Sequence, residues 1–141
     1  MSEGKYGLPR FLTKYAGTHS GLMIPQYTTA ALVSENKTLC YPASADSIPT
    51  SIGQEDHVSM GSISGRKFCQ VLSNVSKVLA IEILYACQAM DYRRPLQFSP
   101  FIERIHALVR SHIDFLDEDR LLKDDINALI ELVDSRSIPT D

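Results

Sequence analysis

The stretch that decides the fold is residues 57–94, HVSMGSISGRKFCQVLSNVSKVLAIEILYACQAMDYRR. Apolar side chains recur in it at steps of three and four residues, which is the spacing of one face of an α-helix. Their positions are Met60, Ile63, Phe68, Val71, Leu72, Val75, Val78 and Leu79. The pattern predicts a single long helix that ends at Pro95, and a helix of this length normally belongs to a bundle or to the core of an oligomer.

The most apolar part of this helix is the run 78–90, which only Glu82 and Gln88 interrupt. The run is too short to cross a bilayer, because a membrane-spanning helix needs about 20 consecutive apolar residues. A helix that is apolar all round is instead a buried one. We therefore expect the run to be buried on nearly all sides.

The chain before the long helix divides into three parts. Residues 1–19 show no sustained period and are predicted to be irregular. Residues 20–39 favour a helix, in which Pro25 is acceptable only in the first turn. Residues 40–56, CYPASADSIPTSIGQED, contain two prolines and a glycine among several serines, which argues against a regular helix or strand. A loop this long inside a compact domain is often functional.

Two further helices are predicted after the long one. Ser99 and Pro100 open the first, with Ser as the N-cap and Pro at the first helical position. Its apolar face consists of Phe101, Ile102, Ile105, Leu108, Val109, His112, Ile113 and Leu116. The last helix spans 124–134, and its acidic first turn suits the positive end of the helix dipole.

These predictions give an all-α fold, a long-helix bundle in which helices pack side by side. No alternating strand pattern occurs in the sequence. The expected organisation is an irregular N-terminal segment (1–19), a unit of helix, loop and long bundle helix (20–95), and C-terminal helices (96–141).

Composition narrows the classes of partner and compartment. The 14 Lys and Arg and 17 Asp and Glu give a net charge of −3 without a basic patch, so we expect no nucleic acid partner. The three cysteines are widely spaced and match neither a disulfide framework nor a metal clip, so reduced thiols are expected. Charged residues interrupt the first residues of the chain, so no signal core is expected. Together these features predict a cytoplasmic protein without a membrane partner.

Two polar groupings could carry chemistry. Glu103 and His106 have the spacing of a di-iron half-site, but no second such pair occurs, so we expect a solvated pair on a helix surface and no metal. Gln54, Glu55, Asp56 and His57 lie where the loop meets the long helix. By spacing alone they fit a helix cap, a small-molecule site or, less well, a metal site, because adjacent residues on a helix point to different faces.

Three stretches resemble the histidine ammonia-lyase and aromatic amino-acid lyase family. They are SGLMIPQYTTAALVSENK (20–37), PASADSIPTSIGQEDHVSMG (42–61) and VLAIEILYACQAMDYRRPL (78–96). The resemblance covers residues 7–96, and the middle stretch is its most specific part. It implies elimination of ammonia from an aromatic amino acid to give an α,β-unsaturated acid. It also implies a tetramer whose long helices pack in a central bundle, with active sites drawn from more than one subunit.

The family's electrophile is a methylidene-imidazolone that forms by cyclisation of an internal Ala-Ser-Gly. This tripeptide does not occur here, since residues 63–65 read Ile-Ser-Gly and residues 43–45 read Ala-Ser-Ala. The resemblance therefore implies the C-terminal part of a lyase. No cofactor is expected in this chain, which is predicted to be inactive without the N-terminal remainder that would supply the electrophile.

The resemblance also assigns roles to individual residues. Glu55 falls where histidine ammonia-lyases place a carboxylate near the bound substrate, and such a group can accept a hydrogen bond or take up a proton. Met23 falls where the histidine enzymes have a methionine in the pocket. Gln54 is expected to shape the same wall, and His57 to orient the loop.

Met23 and Glu55 favour L-histidine, which would give urocanate and ammonia. A tyrosine or phenylalanine ammonia-lyase is the alternative, because some bacterial tyrosine lyases resemble the QEDHVSMG pattern (54–61). A third hypothesis belongs to another class: a non-catalytic oligomerising module that keeps the loop as a scaffold.

Overall fold

The computed structural model describes residues 7–45, 47–55, 58–59 and 61–140. Four α-helices follow one another: α1 (Met23–Leu39), α2 (Gly61–Tyr92), α3 (Pro100–Arg110) and α4 (Lys123–Asp134). Two short 3-10 turns, Arg10–Leu12 and Ser51–Gly53, lie outside them. The described residues contain no β-strand, only two isolated bridges, which confirms the all-α fold class.

Helix α2 is the centre of the molecule, because α1, α3 and α4 all pack against it. Its C-terminal half contributes Ala80, Leu84 and Cys87 to the core, and burial raises the pKa of the Cys87 thiol to about 11. The other buried members of the core are Leu12, Leu22, Val109, Ile113, Leu116, Leu129 and Leu132. The core therefore draws on α2, α3, α4, the chain between α3 and α4, and the segment before α1, but on no residue of α1 itself.

The predicted helix boundaries hold to within a few residues. The N-cap at Ser99 is confirmed, since its Oγ accepts a hydrogen bond from the Ile102 N–H at 3.4 Å. Pro25 lies in the first turn of α1, as predicted. The last predicted helix is α4, which begins one residue earlier than expected.

The apolar run 78–90 is buried less completely than predicted. Ala80, Ile81 and Leu84 are buried, but Leu79, Glu82 and Ala86 form an exposed stripe. Further along α2 towards its N-terminus the apolar face is exposed as well, and Ile63, Phe68, Leu72 and Val75 belong to it. The four-helix core covers only one side of the C-terminal half of α2, so the prediction of burial all round was wrong for a single chain.

Helix α2 is the one helix in the described part of the chain whose length and composition would allow it to cross a bilayer. Core helices of globular proteins meet the same criterion, so this property alone does not assign a membrane.

The prediction for His106 was wrong. The ring is buried, and its Nε2 lies 2.8 Å from the Asp91 carboxylate, to which the Arg110 guanidinium also donates at 2.8 Å. Only Glu103 is partly exposed, and it pairs with Arg94 through both oxygens, which lowers its pKa to about 2. Hydrogen bonding to Asp91 makes burial of the imidazole acceptable, and sequence spacing could not reveal that partner.

Helix α3 is shorter than its predicted apolar face. It ends at Arg110, although Ile113 and Leu116 beyond it are still buried. Arg110 donates to the carbonyls of Ile113 and Asp114, and the buried Gln88 amide bonds both backbone groups of Leu116. These side chains satisfy an irregular backbone, so burial continues without a helix.

Candidate functional site

Met23 is the first residue of α1 and is half-buried. Its backbone N–H donates to the Ser20 carbonyl at 3.0 Å, which closes a turn ahead of the helix. We refer to residues 20–23 as the α1 start. This turn sets the backbone position of Met23.

Three other parts of the chain hold the α1 start. The Asp119 carboxylate accepts hydrogen bonds from the backbone N–H groups of Ser20 at 2.7 Å and Gly21 at 2.8 Å. The Leu22 N–H donates to the Phe11 carbonyl at 2.9 Å, and the Tyr85 hydroxyl donates to the Leu22 carbonyl. The backbone of the turn is therefore bonded to the N-terminal segment, to α2 and to the loop before α4.

The electrostatics of these groups follow from the contacts. The N–H groups of Ser20 and then Gly21 stabilise the charged carboxylate, so the pKa of Asp119 lies below its ordinary value. Burial raises the pKa of Tyr85 to about 12, which keeps its hydroxyl protonated as a donor.

Gly21 is required by the backbone at this point. Its φ is +53°, and a Cβ at this position would lie 2.5 Å from the Phe11 carbonyl oxygen and 2.9 Å from the Thr13 Cβ. A side chain would therefore be strained by conformation and would also overlap the backbone. The packing leaves Gly21 no room for a side chain on the side of Phe11 and Thr13.

Gln54 and Glu55 lie in a short closed loop. The N–H and carbonyl of Thr50 bond those of Glu55 at 2.9 and 3.2 Å, and the Ser47 hydroxyl bonds both backbone groups of Val58. Between Thr50 and Glu55, the residues Ser51 and Ile52 have φ values of 54° and 59°. This is a left-handed conformation that a β-branched residue such as Ile52 rarely adopts. Backbone bonds within the loop thus give it its shape.

The side chains of Gln54 and Glu55 are exposed. His57 lies outside the described residues. Three cavities of the described structure have volumes of about 330, 470 and 280 Å³, and neither Met23 nor Gln54 nor Glu55 lines any of them. As far as the described residues go, the Glu55 side chain is exposed and lies outside these three cavities.

Side chains of α2 bind the end of α1, so the two helices that flank the loop are held together. The buried Asn74 amide of α2 donates to the side chains of Glu35 at 2.7 Å and Asn36 at 2.9 Å, near the end of α1. Lys67 donates to the Tyr41 carbonyl. Helices α1 and α2 are therefore held antiparallel, with the loop leaving the end opposite to Met23.

The structure does not bring Met23 and Glu55 together. No hydrogen bond or shared cavity among the described residues joins them. Met23 is the first residue of α1, and the loop begins after the last one. A helix of 17 residues rises ~1.5 Å per residue, so its two ends lie about 25 Å apart.

Comparison with known proteins identifies the family. The sequence model described as "Aromatic amino acid lyase" matches residues 1–111. The chain belongs to the aromatic amino acid lyase family. It is 55% identical over 127 residues to the histidine ammonia-lyase of Symbiobacterium thermophilum, which covers 90% of this chain and 25% of that protein.

Solved structures of the aromatic amino acid lyase family share the fold. The crystal structure of histidine ammonia-lyase from Trypanosoma cruzi is 50% identical with a TM-score of 0.90, covering 94% of this chain and 26% of that one. Tyrosine aminomutase from Streptomyces globisporus is 40% identical with a TM-score of 0.89, over 94% and 26% of the two chains. This chain spans about a quarter of the length of these relatives and matches the family as a C-terminal segment.

The family uses a methylidene-imidazolone group. The 141 residues contain no Ala-Ser-Gly from which this group could form, so the residues of this chain do not fit a site that builds it. No step of catalysis through that group is assigned to these residues.

Sequence reasoning missed the groups that hold the lyase segment in shape. Asp119 lies among acidic residues that no motif distinguishes, and its role depends on a contact across 99 residues of sequence. Gly21 carried a local signal, because glycine is the default residue where the backbone needs a positive φ, but it lay inside the predicted helix 20–39.

Proposed function

We propose that this chain is the C-terminal part of a histidine ammonia-lyase, which converts L-histidine to urocanate and ammonia. The observation that carries the proposal is 55% identity over 90% of the chain to an enzyme of that name. The remaining three-quarters of such an enzyme would supply the electrophile, so this chain alone is expected to be inactive.

In this proposal Glu55 acts on the substrate as a carboxylate. Its exposed side chain and its place on a closed loop leave it available to a pocket that other polypeptide completes. A carboxylate there can accept a hydrogen bond from imidazole or ammonium, or take up a proton. Gln54 beside it and Met23 on another part of the wall would contact the same substrate, and His57 would orient the loop.

The pocket would be completed by neighbouring subunits, in a homotetramer. The exposed apolar face of α2, which includes Phe68, Leu72 and Leu79, supports association, since monomers rarely leave large apolar surfaces in water. An open groove of about 470 Å³ between α1 and α2, lined by Val33 and Val78 among others, borders this face at Glu82. The separation of Met23 from the loop within one chain also supports a shared site, because a pocket that uses both residues can then take them from different copies.

Tyrosine or phenylalanine is the alternative substrate. The 40% identity to a tyrosine aminomutase favours this hypothesis, because the same segment then occurs in an enzyme named for another amino acid. A non-catalytic oligomerising module remains the hypothesis of a different class. The composition and the three free thiols support a cytoplasmic location for each of them.

A chimera tests the proposal. This chain replaces the matching C-terminal quarter of the Symbiobacterium thermophilum histidine ammonia-lyase, and assembly is verified by gel filtration. Formation of urocanate from L-histidine, followed by absorbance, is the expected result, while this chain alone should form none. An assembled chimera that makes no urocanate contradicts the proposal, and one that makes coumarate from tyrosine favours the alternative.

The role of Glu55 is tested in the same chimera. Glu55→Gln should lower kcat about 100-fold, the size of effect typical for a lost acid–base group. Glu131→Gln, at an exposed position of α4, is the charge-matched control and should leave kcat unchanged. An active chimera that tolerates Glu55→Gln removes Glu55 from the site.

A further inference from the structure

The N-terminus of α1 has no cap from its own sequence. Leu22 occupies the N-cap position, makes no side-chain hydrogen bond there, and the first turn contains no acidic residue. Helix N-termini leave backbone N–H groups without intrahelical partners and favour negative charge. A carboxylate from elsewhere in the chain would therefore be stabilising at this point.

Asp119 supplies that carboxylate from the segment between α3 and α4. Each of its two oxygens accepts a different N–H group, Oδ2 that of Ser20 and Oδ1 that of Gly21. Both hydrogen bonds go to the turn that precedes Met23. Two charge-assisted bonds from one planar group fix the orientation of the turn as well as its position.

We infer that Asp119 is a positioning residue for substrate: by clamping the Ser20 and Gly21 amides, it sets the direction in which α1 presents Met23 to the pocket. The inference rests on the proposed function, in which Met23 lines that pocket. Asp119 lies beyond residues 1–111, the part of the chain that matches the family sequence model. A segment outside that match thus shapes the wall of the pocket.

The geometry makes the carboxylate hard to replace. An asparagine at position 119 retains one acceptor oxygen but presents an NH₂ group to the second backbone N–H, so one of the two bonds is lost. The turn cannot shift towards Phe11 to recover that bond, because Gly21 lies against the Phe11 carbonyl without space for even a methyl group. The freed N–H group must turn towards water, and the helix start moves with it.

Amide hydrogen exchange on the full chain tests the clamp itself. In Asp119→Asn the Ser20 and Gly21 amides should exchange about tenfold faster, the size expected for loss of a hydrogen bond to a charged group. Glu118→Gln is the matched control, because it removes the same charge from the neighbouring exposed residue and should leave both amides unchanged. Equal exchange in the two variants overturns the inference.

Kinetics in the chimera test the link to substrate. Asp119→Asn should raise the KM for histidine about tenfold with a smaller change in kcat, because a displaced pocket wall weakens ground-state and transition-state binding alike. In a Met23→Ala background the same substitution should have little further effect, since residues that act through one another are not additive. A loss that is equally large without Met23, or an unchanged KM, overturns the positioning role.

The two experiments separate this inference from the proposed function. An unmodified chimera that assembles but is inactive contradicts the proposed function, and with it the substrate role of Asp119. The exchange rates in the chain depend on no activity, so they decide on the clamp in either case.

Discussion

The α1 start and the loop that carries Glu55 are held in opposite ways. The α1 start is bonded to three distant segments, through Asp119, Phe11 and Tyr85. The described bonds of residues 47–55 that give the loop its shape are instead local, and the side chains of Gln54 and Glu55 are exposed.

The difference teaches that one chain can fix one backbone segment firmly and leave another with local bonds only, as the proposed shared pocket would require. Its own tertiary contacts fix the backbone ahead of Met23. The loop has a defined backbone shape, but the Glu55 side chain makes no hydrogen bond or ion pair with another described residue. A pocket assembled from several chains needs a rigid wall from each chain. Other contacts to the ligand-binding side chains can form when the chains assemble.

The largest expected effect compares one glycine from each region. Gly21→Ala should destabilise the chain by roughly 2–4 kcal/mol, from about 1 kcal/mol of left-handed strain plus the overlap with Phe11. Gly53→Ala in the loop, with φ +81° and no atom within 4 Å of its Cβ, should cost only the strain, about 1 kcal/mol. Denaturant unfolding of both variants measures the difference in their free energies of unfolding. Equal losses of stability would contradict the comparison.

A smaller effect is expected at the contact with α2. Tyr85→Phe removes the hydroxyl that donates to the Leu22 carbonyl and should lower the free energy of unfolding by about 1 kcal/mol. Tyr27→Phe, at an exposed tyrosine of α1, is the control and should change it by a few tenths at most. Thermal unfolding of the two variants checks the difference, and a neutral Tyr85→Phe would show that this bond does not hold the α1 start.

Acid should loosen the α1 start and spare the loop. The pKa of Asp119 is lowered by its bonds to Ser20 and Gly21, so the stabilisation is complete above the ordinary carboxyl value of 3.8 and is lost as the pH falls through the lowered value. Exchange protection of the Ser20 and Gly21 amides, corrected for intrinsic rates, should fall in that range.

The bonds between Thr50 and Glu55 join backbone groups that do not titrate, so their protection provides the internal control. Asp119→Asn should remove the pH dependence at the α1 start. Protection that falls equally in both regions would point to global acid unfolding.

The smallest expected effect is that of Glu55→Gln on the stability of this chain. The side chain is exposed, so the free energy of unfolding should change by less than about 0.5 kcal/mol. Circular dichroism during denaturation measures it. A larger loss would mean that Glu55 supports the loop rather than a ligand.

Much of the fold could be predicted because its signals are local. The period of α2, the Ser99 cap and Pro25 in the first turn of α1 all depend on neighbouring residues. The failures concern partners far away in sequence. His106 can be buried because Asp91, which also pairs with Arg110, bonds its ring. The chain beyond Arg110 is buried without a helix because Gln88 bonds its backbone.

The candidate site shows the same difference between local signals and distant partners. Met23, Gln54 and Glu55 were found through a sequence motif, and their part in substrate binding stays a prediction, as does that of His57. Asp119 and Tyr85 could not be found from sequence, since each acts through a backbone group that its own position does not reveal.

The bond from Asp119 to Ser20 spans 99 residues and has a consequence for synthesis. While the ribosome is still making α1 and α2, the turn ahead of α1 has no Asp119 carboxylate to bind. The final geometry of this turn is reached only after residue 119 has left the exit tunnel, so the turn is completed well after it has been translated.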